Sequence, residues 1–233
     1  MVSQALVQSK MFYGLGKAAS ALGVACNWYR GTVATTNPIL TGSLLGTIQA
    51  AFQIPGAVYV APSRYAKPEW WGLFDGTNVE VGDYIVEPTL GTFFVASLEP
   101  VHYPMCVRCN RVASFARPNP NPASTPAYSL SPDGTRMVPG TGFYGGDVPS
   151  QETPLATSWP ISQLQGTKGE KGSTNLPGDV RMPWIVCLVP AFPGDVVLAE
   201  GDRMRDDLGK VWTLSSCELT PLGWRLTAML EDT

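Results

Sequence analysis

The sequence predicts a mainly β protein: two small β-barrel or sandwich-like units related by a possible internal repeat, with one N-terminal helix and long Pro/Gly-rich loops. Three observations predict it. The 24 Gly and 21 Pro among 233 residues interrupt long helices repeatedly. Val, Thr and aromatic residues dominate the segments between them, as suits short strands. Two stretches of the chain also repeat the same order of turn residues and apolar runs. The length leaves room for two compact units, since domains become marginal only near roughly 60 residues.

The first region, residues 1–56, is expected to hold a helix and an extended arm. From Ser9 to Leu22 the spacing of Met11, Leu15, Ala18, Ala19 and Leu22 lays one apolar stripe on a helix, with Ser9 as its cap and Gly23 as its end. After Asn27-Trp28-Tyr29-Arg30-Gly31 the chain is Thr-rich and contains Pro38, which reads as a strap across the surface, or equally as an arm reaching a neighbouring subunit.

Residues 57–117 form the first expected β unit, with strands at Val58 to Ala61, Glu69 to Phe74, Asp83 to Val86, Thr92 to Leu98 and Met105 to Phe115. Residues 118–182 are rich in Pro, Gly, Ser, Thr and Asn and read as a linker or excursion loop. Within it, Gly166 to Gly172 carries glycine at every third position, too briefly for a collagen helix. The second β unit, residues 183–233, is expected to have strands at Trp184 to Val189, Asp195 to Leu198, Asp202 to Arg205, Val211 to Ser216 and Trp224 to Leu230.

The two units align on Gly82-Asp83 with Gly201-Asp202, and on Leu90-Gly91 with Leu208-Gly209 once one residue is dropped. Each block reads as a hairpin: Gly-Asp opens a turn that tolerates positive φ, Leu-Gly reverses the chain, and an apolar strand returns to the core. Two unrelated hairpins sharing common turn residues are the alternative.

Sixteen basic and nineteen acidic residues give a net charge of −3, which offers no cationic field for many phosphates, so direct nucleic-acid binding is not expected. The uncharged stretch 31–63 contains Pro38, Pro55 and many polar residues, so no membrane span is expected either. Lys10 and Lys17 fall where a signal peptide needs its apolar run. Five cysteines, an odd number lying in apolar segments, fit buried free thiols in a reducing compartment.

Chemistry-bearing candidates are few. Cys106 and Cys109, with His102 upstream, have the spacing of half a zinc site, but on a strand they face opposite ways and no second pair is present; two core or interface thiols are the favoured reading. His102 is the single histidine, which confines imidazole base chemistry to that position. Asp202, Asp206 and Asp207 alternate with Arg203 and Arg205 and read as a solvated turn ahead of a calcium site. Gly142 to Gly146 and Gly14 to Lys17 lack the strand-to-helix setting of a phosphate loop. Trp70, Trp71, Trp159, Trp184, Trp212 and Trp224 read as core or subunit interface, with a sugar-binding platform as the alternative. No catalytic residue, metal ligand or cofactor site is assigned.

The segments FYGLGKAASALGVACNWYR (12–30), GDYIVEPTLGTFFVASLEPVHYPMCVRCNRV (82–112) and GDRMRDDLGKVWTLSSCELTPLGWRLTAM (201–229) resemble a family of phage and prophage virion proteins. The likeness covers about half of the chain and leaves residues 118–182 aside. It implies a non-enzymatic structural subunit of a tailed-bacteriophage virion, placed first at the neck or head–tail connector ring. A baseplate or tail-tip subunit is the alternative, and a carbohydrate-binding host-recognition module a further one. The partners implied are portal, adaptor, tail or baseplate proteins and copies of the chain itself in a ring. Its place would be the virion, assembled in the bacterial host cytoplasm.

Overall fold

The computed structural model describes residues 3–54, 68–118, 129–130, 136–137, 152–165 and 184–231. The protein is mainly β with one helix, α1 (Gln4–Leu22), and its strands form two closed barrels. The first barrel contains β1 (Val24–Tyr29), β2 (Leu44–Gln53), β3 (Glu69–Leu73), β4 (Tyr84–Glu87), β5 (Gly91–Ser97) and β6 (Met105–Arg108). Around it the order is β1-β2-β3-β6-β5-β4, and β4 pairs back onto β1. After Cys109 and Asn110 come β7 (Arg111–Pro118), the two-residue partners β8 (Ser129–Leu130) and β9 (Arg136–Met137), and β10 (Glu152–Gln165). Then follow β11 (Trp184–Val189), β12 (Arg203–Asp206), β13 (Val211–Thr220) and β14 (Gly223–Leu230). The second barrel runs β10-β11-β14-β13-β12-β7 and closes through β7 and β10.

Taken in chain order, the staves of both barrels are joined in the same cyclic sequence. The internal repeat is therefore a repeat of topology, and it extends to detail. The ladder between β5 and β6 shifts register between Val95 and Ser97, and that between β13 and β14 shifts between Leu214 and Ser216, the equivalent place. Val95 N–H donates to the Asp83 carbonyl and Leu214 N–H to the Asp202 carbonyl, both at 2.8 Å. Gly82 and Gly201 sit at φ +95° and +87°, which an L side chain adopts only with strain. The inward positions Cys26, Ala50, Ile85, Phe93 and Val95 are matched by Ala113, Ile161, Met204, Trp212 and Leu214, all buried. No pair shares an identity, because a barrel interior demands summed volume and apolarity rather than particular residues.

The strand registers pair Ile85 with Phe93 and Met204 with Trp212, so the repeat aligns without a gap. The two Leu-Gly dipeptides then occupy successive rather than equivalent turn positions, and the one-residue deletion in the sequence alignment is corrected.

An arginine clasp also occurs twice. Arg30 Nε and Nη2 donate to the two oxygens of Asp83 at 2.7 and 2.8 Å, and Nη2 also donates to the Asn78 carbonyl at 3.0 Å. Arg117 does the same with Asp202 at 2.8 and 2.9 Å and with the Val197 carbonyl at 2.8 Å. Each aspartate further accepts a backbone N–H three residues upstream, from Glu80 and Ala199, so both buried carboxylates are satisfied. These hydrogen bonds hold both guanidinium groups further above their ordinary pKa.

The expected unit boundaries shift. Residues 1–56 are not only a helix and arm, because β1 and β2 are staves of the first barrel; Asn27, Thr47, Gln49 and Gln53 on their outward side and Gly46 within β2 hide them. The strap proper is the β1–β2 connection. The expected single strand from Met105 to Phe115 is β6 and β7, divided between the barrels, so the second barrel begins before the expected boundary at 117. The expected linker 118–182 contains β10, disguised by Pro154 and Pro160. Helix α1 begins at the cap Ser3, whose Oγ accepts from Leu6 N–H, and not at Ser9. Leu15 and Ala19 are buried on it, whereas Leu22 is 75% exposed. Residues 195–198 form no strand. The expected strand 58–61, the Gly166–Gly172 segment and the Gly142–Gly146 segment lie outside the described residues.

Candidate functional site

Along β4, β5 and β6 the chain has few polar positions, and the reason is a second burial. Inward residues fill the first barrel, while the outward residues Tyr84, Phe94, Ala96 and Val107 join the hydrophobic cluster of the second barrel. They lie against the outer face of β10 and β11. Tyr84 O–H donates to the Pro160 carbonyl at 2.9 Å, and Trp159 Nε1–H to the Ala34 carbonyl on the strap at 2.6 Å. The Tyr84 and Trp159 rings stand 6.0 Å apart, and Trp159 meets Phe192 edge-on at 4.9 Å. A Cβ at Gly31 would lie 2.8 Å from the Trp159 ring, so glycine lets the strap pass over the indole.

Where the barrels diverge, this interface opens into a cleft of about 610 Å³. Phe94 and Val107 form one wall, Val186, Leu188 and Trp224 the other, and the β13–β14 hairpin tip with Leu222 overhangs it. Glu69, Glu99 and Arg225 stand at the mouth. Arg225 lies 4.0 Å from Glu218. Among the described residues neither Glu69 nor Glu99 has an ion pair. An apolar slot with carboxylates at its rim binds by excluding water from an inserted side chain and by attracting a nearby cation.

The sequence candidates fall elsewhere. Cys106 is inside the first barrel and Cys109 packs against the second cluster, so the pair serves two cores; His102 is exposed. Among the described residues no group of three His, Cys, Asp or Glu side chains is placed to hold a metal. Burial raises all five thiols, Cys26 and Cys217 to about 11 and the other three further. Asp202 and Asp206 are not a solvated turn but buried acceptors: Asp206 takes N–H bonds from Leu208 and Lys210 and the Trp212 indole. Asp207 is outside, 3.9 Å from Arg111. Gly14 and Gly16 lie within α1. Trp159, Trp212 and Trp224 are buried, and Trp70 packs edge-on against Phe93 at 5.7 Å, facing the first core.

In the sequence the cleft walls read only as strand core. A signal for them exists in the sequence: Phe93-Phe94-Val95-Ala96 and Ile185-Val186-Cys187-Leu188-Val189 do not alternate, and a strand apolar on both sides is covered on both. Comparison with protein-family models, with curated proteins and with solved structures finds no match to this chain.

Proposed function

We propose that this chain is a structural subunit of a tailed-bacteriophage particle, placed first in the neck ring between head and tail, and that it acts by association rather than catalysis. The observation that carries the reading is the way its equivalent barrels dock. The β4–β6 outer face of the first meets the β10–β11 outer face of the second, so different faces of like units are in contact. Such heterologous contacts generate rings when the rotation between units closes. Closed barrels also lack the unpaired edges that promote indiscriminate strand addition, which leaves side-chain faces and loops to choose partners. The likeness of 12–30, 82–112 and 201–229 to phage and prophage virion proteins supports the same reading.

The neighbours it implies are portal, adaptor, tail or baseplate proteins and further copies of the chain. Gold-labelled antibody against this chain, applied to intact particles and viewed by electron microscopy, tests it. Label at the head–tail junction supports the connector, and label at the distal end moves the subunit to the baseplate or tail tip. Particles unlabelled both intact and after gentle disruption overturn the reading.

A further inference from the structure

We infer that the cleft between the barrels is a docking slot for an aromatic side chain of a neighbouring protein, carried on a segment with lysine or arginine beside it. The inference rests on the reading of the chain as a subunit that acts by association, and names the partner chemistry of that site.

Two observations choose the occupant. The cleft continues the inter-barrel interface, and where that interface is closed the protein fills it with aromatic rings. Tyr84 occupies the space from the first barrel, donates its one polar hydrogen to the Pro160 carbonyl, and meets the Trp159 ring at 6.0 Å. The open end has the same kind of walls, Phe94 and Val107 against Val186, Leu188 and Trp224, and among the described residues no ring stands between them. A ring entering from outside completes the packing and removes its own apolar surface, and that of the walls, from water.

The mouth then selects its flanks. Glu69 and Glu99 are exposed on the first-barrel side and have no ion pair among the described residues. A cation beside the inserted ring therefore finds two carboxylates on the first-barrel side, while Arg225 across the mouth is paired with Glu218. Both barrels are closed, so the partner gains no sheet hydrogen bonds here and is held through its side chains.

The test uses the full chain and three capped peptides: Gly-Lys-Tyr-Lys-Gly, Gly-Glu-Tyr-Glu-Gly and Gly-Lys-Ala-Lys-Gly. Chemical shifts of Leu188, Leu222 and Trp224 in NMR spectra report binding. The Lys-Tyr-Lys peptide is expected to move them with a Kd on the order of 1 mM, and the Glu-Tyr-Glu peptide to bind about tenfold more weakly. The Ala peptide is expected to leave them in place. In Glu69→Lys/Glu99→Lys, altered only at exposed positions, the charge preference should invert while the spectrum remains that of the folded chain. No shift at several millimolar peptide, or equal binding of the two tyrosine peptides, overturns the slot. Gold label on the particle without peptide binding would remove this inference alone, and peptide binding without label would remove the particle reading alone.

Discussion

Asp83 and Asp202 are 1% and 2% exposed, and each is held by one arginine that reaches across from the end of a neighbouring strand. Truncating the arginine leaves the buried Asp202 carboxylate with one backbone donor, and Asp83 with its backbone donor and the Trp28 indole N–H, without a countercharge in the clasp, which is costlier than the worth of an exposed ion pair. Arg30→Ala and Arg117→Ala are each expected to lose about 2 kcal/mol in urea unfolding. The two losses should add in the double variant, because the clasps sit in different barrels with no shared partner. Strong non-additivity would show that the clasps are coupled. The thiols give a pH dependence whose sign follows from burial. Unfolded cysteines ionise near 9.0, whereas Cys26 and Cys217 in the fold are pushed to about 11 and Cys106, Cys109 and Cys187 higher. Above pH 9 the unfolded chain therefore binds fewer protons than the folded one, so this contribution is complete below pH 9 and falls as pH rises. Urea midpoints should drop from about pH 8 to about pH 10, with a shallower drop in Cys106→Ala/Cys187→Ala. An unchanged slope in that variant would remove the thiols as the cause.

Glycine separates the demands of strand turn and helix. Gly201 holds φ +87° in open space, so a methyl group there meets no neighbour and only the backbone conformation resists it. Gly201→Ala should cost about 1–2 kcal/mol. Gly14 lies inside α1, likewise with nothing near its missing Cβ, and there Ala restores helix propensity, so Gly14→Ala should gain about 1 kcal/mol. Thermal unfolding of the two variants reads opposite signs; the same sign in both would mean that one position is not in the conformation described. The same contrast explains what was legible in the sequence. β11 and β14 are apolar enough to declare themselves, and Gly-Asp marks the turn that leads into each hairpin. β1, β2 and β10 are not, because their outward sides carry Asn27, Gln49, Gln53, Pro160 and Ser162, and proline and small polar residues are the ordinary signs of loops. Residues 195–198 carry apolar residues without pairing, since Leu198 serves the core from an irregular segment. The cleft was the least legible part, because it is made by barrel docking, a relation that no local pattern encodes.

At the scale of the whole molecule, the repeat shows what α1 replaces. On the second barrel the outer face of β10 and β11 is covered by the first barrel. On the first barrel the equivalent face, β2 and β3, is covered by α1. The helix thus stands where another barrel would dock, as a terminal cap stands at the end of a repeat array. It is lightly held: Leu15 and Ala19 are its buried residues, and Gln8 Oε1 accepts from Val101 N–H at 2.9 Å. Its loss would bare half-buried outward positions such as Ala51 and Leu73 without removing any stave, since the barrels begin at Val24. A chain lacking residues 1–22 should keep its β circular dichroism and form larger species with rising concentration in sedimentation velocity, because a newly exposed apolar face seeks cover. Glu at exposed Ala51 and Leu73 in the truncated chain should reverse that association. Loss of the β spectrum would show instead that α1 is needed to close the first barrel. A truncated chain that stays folded and sediments like the full-length one at every concentration would sink the capping role.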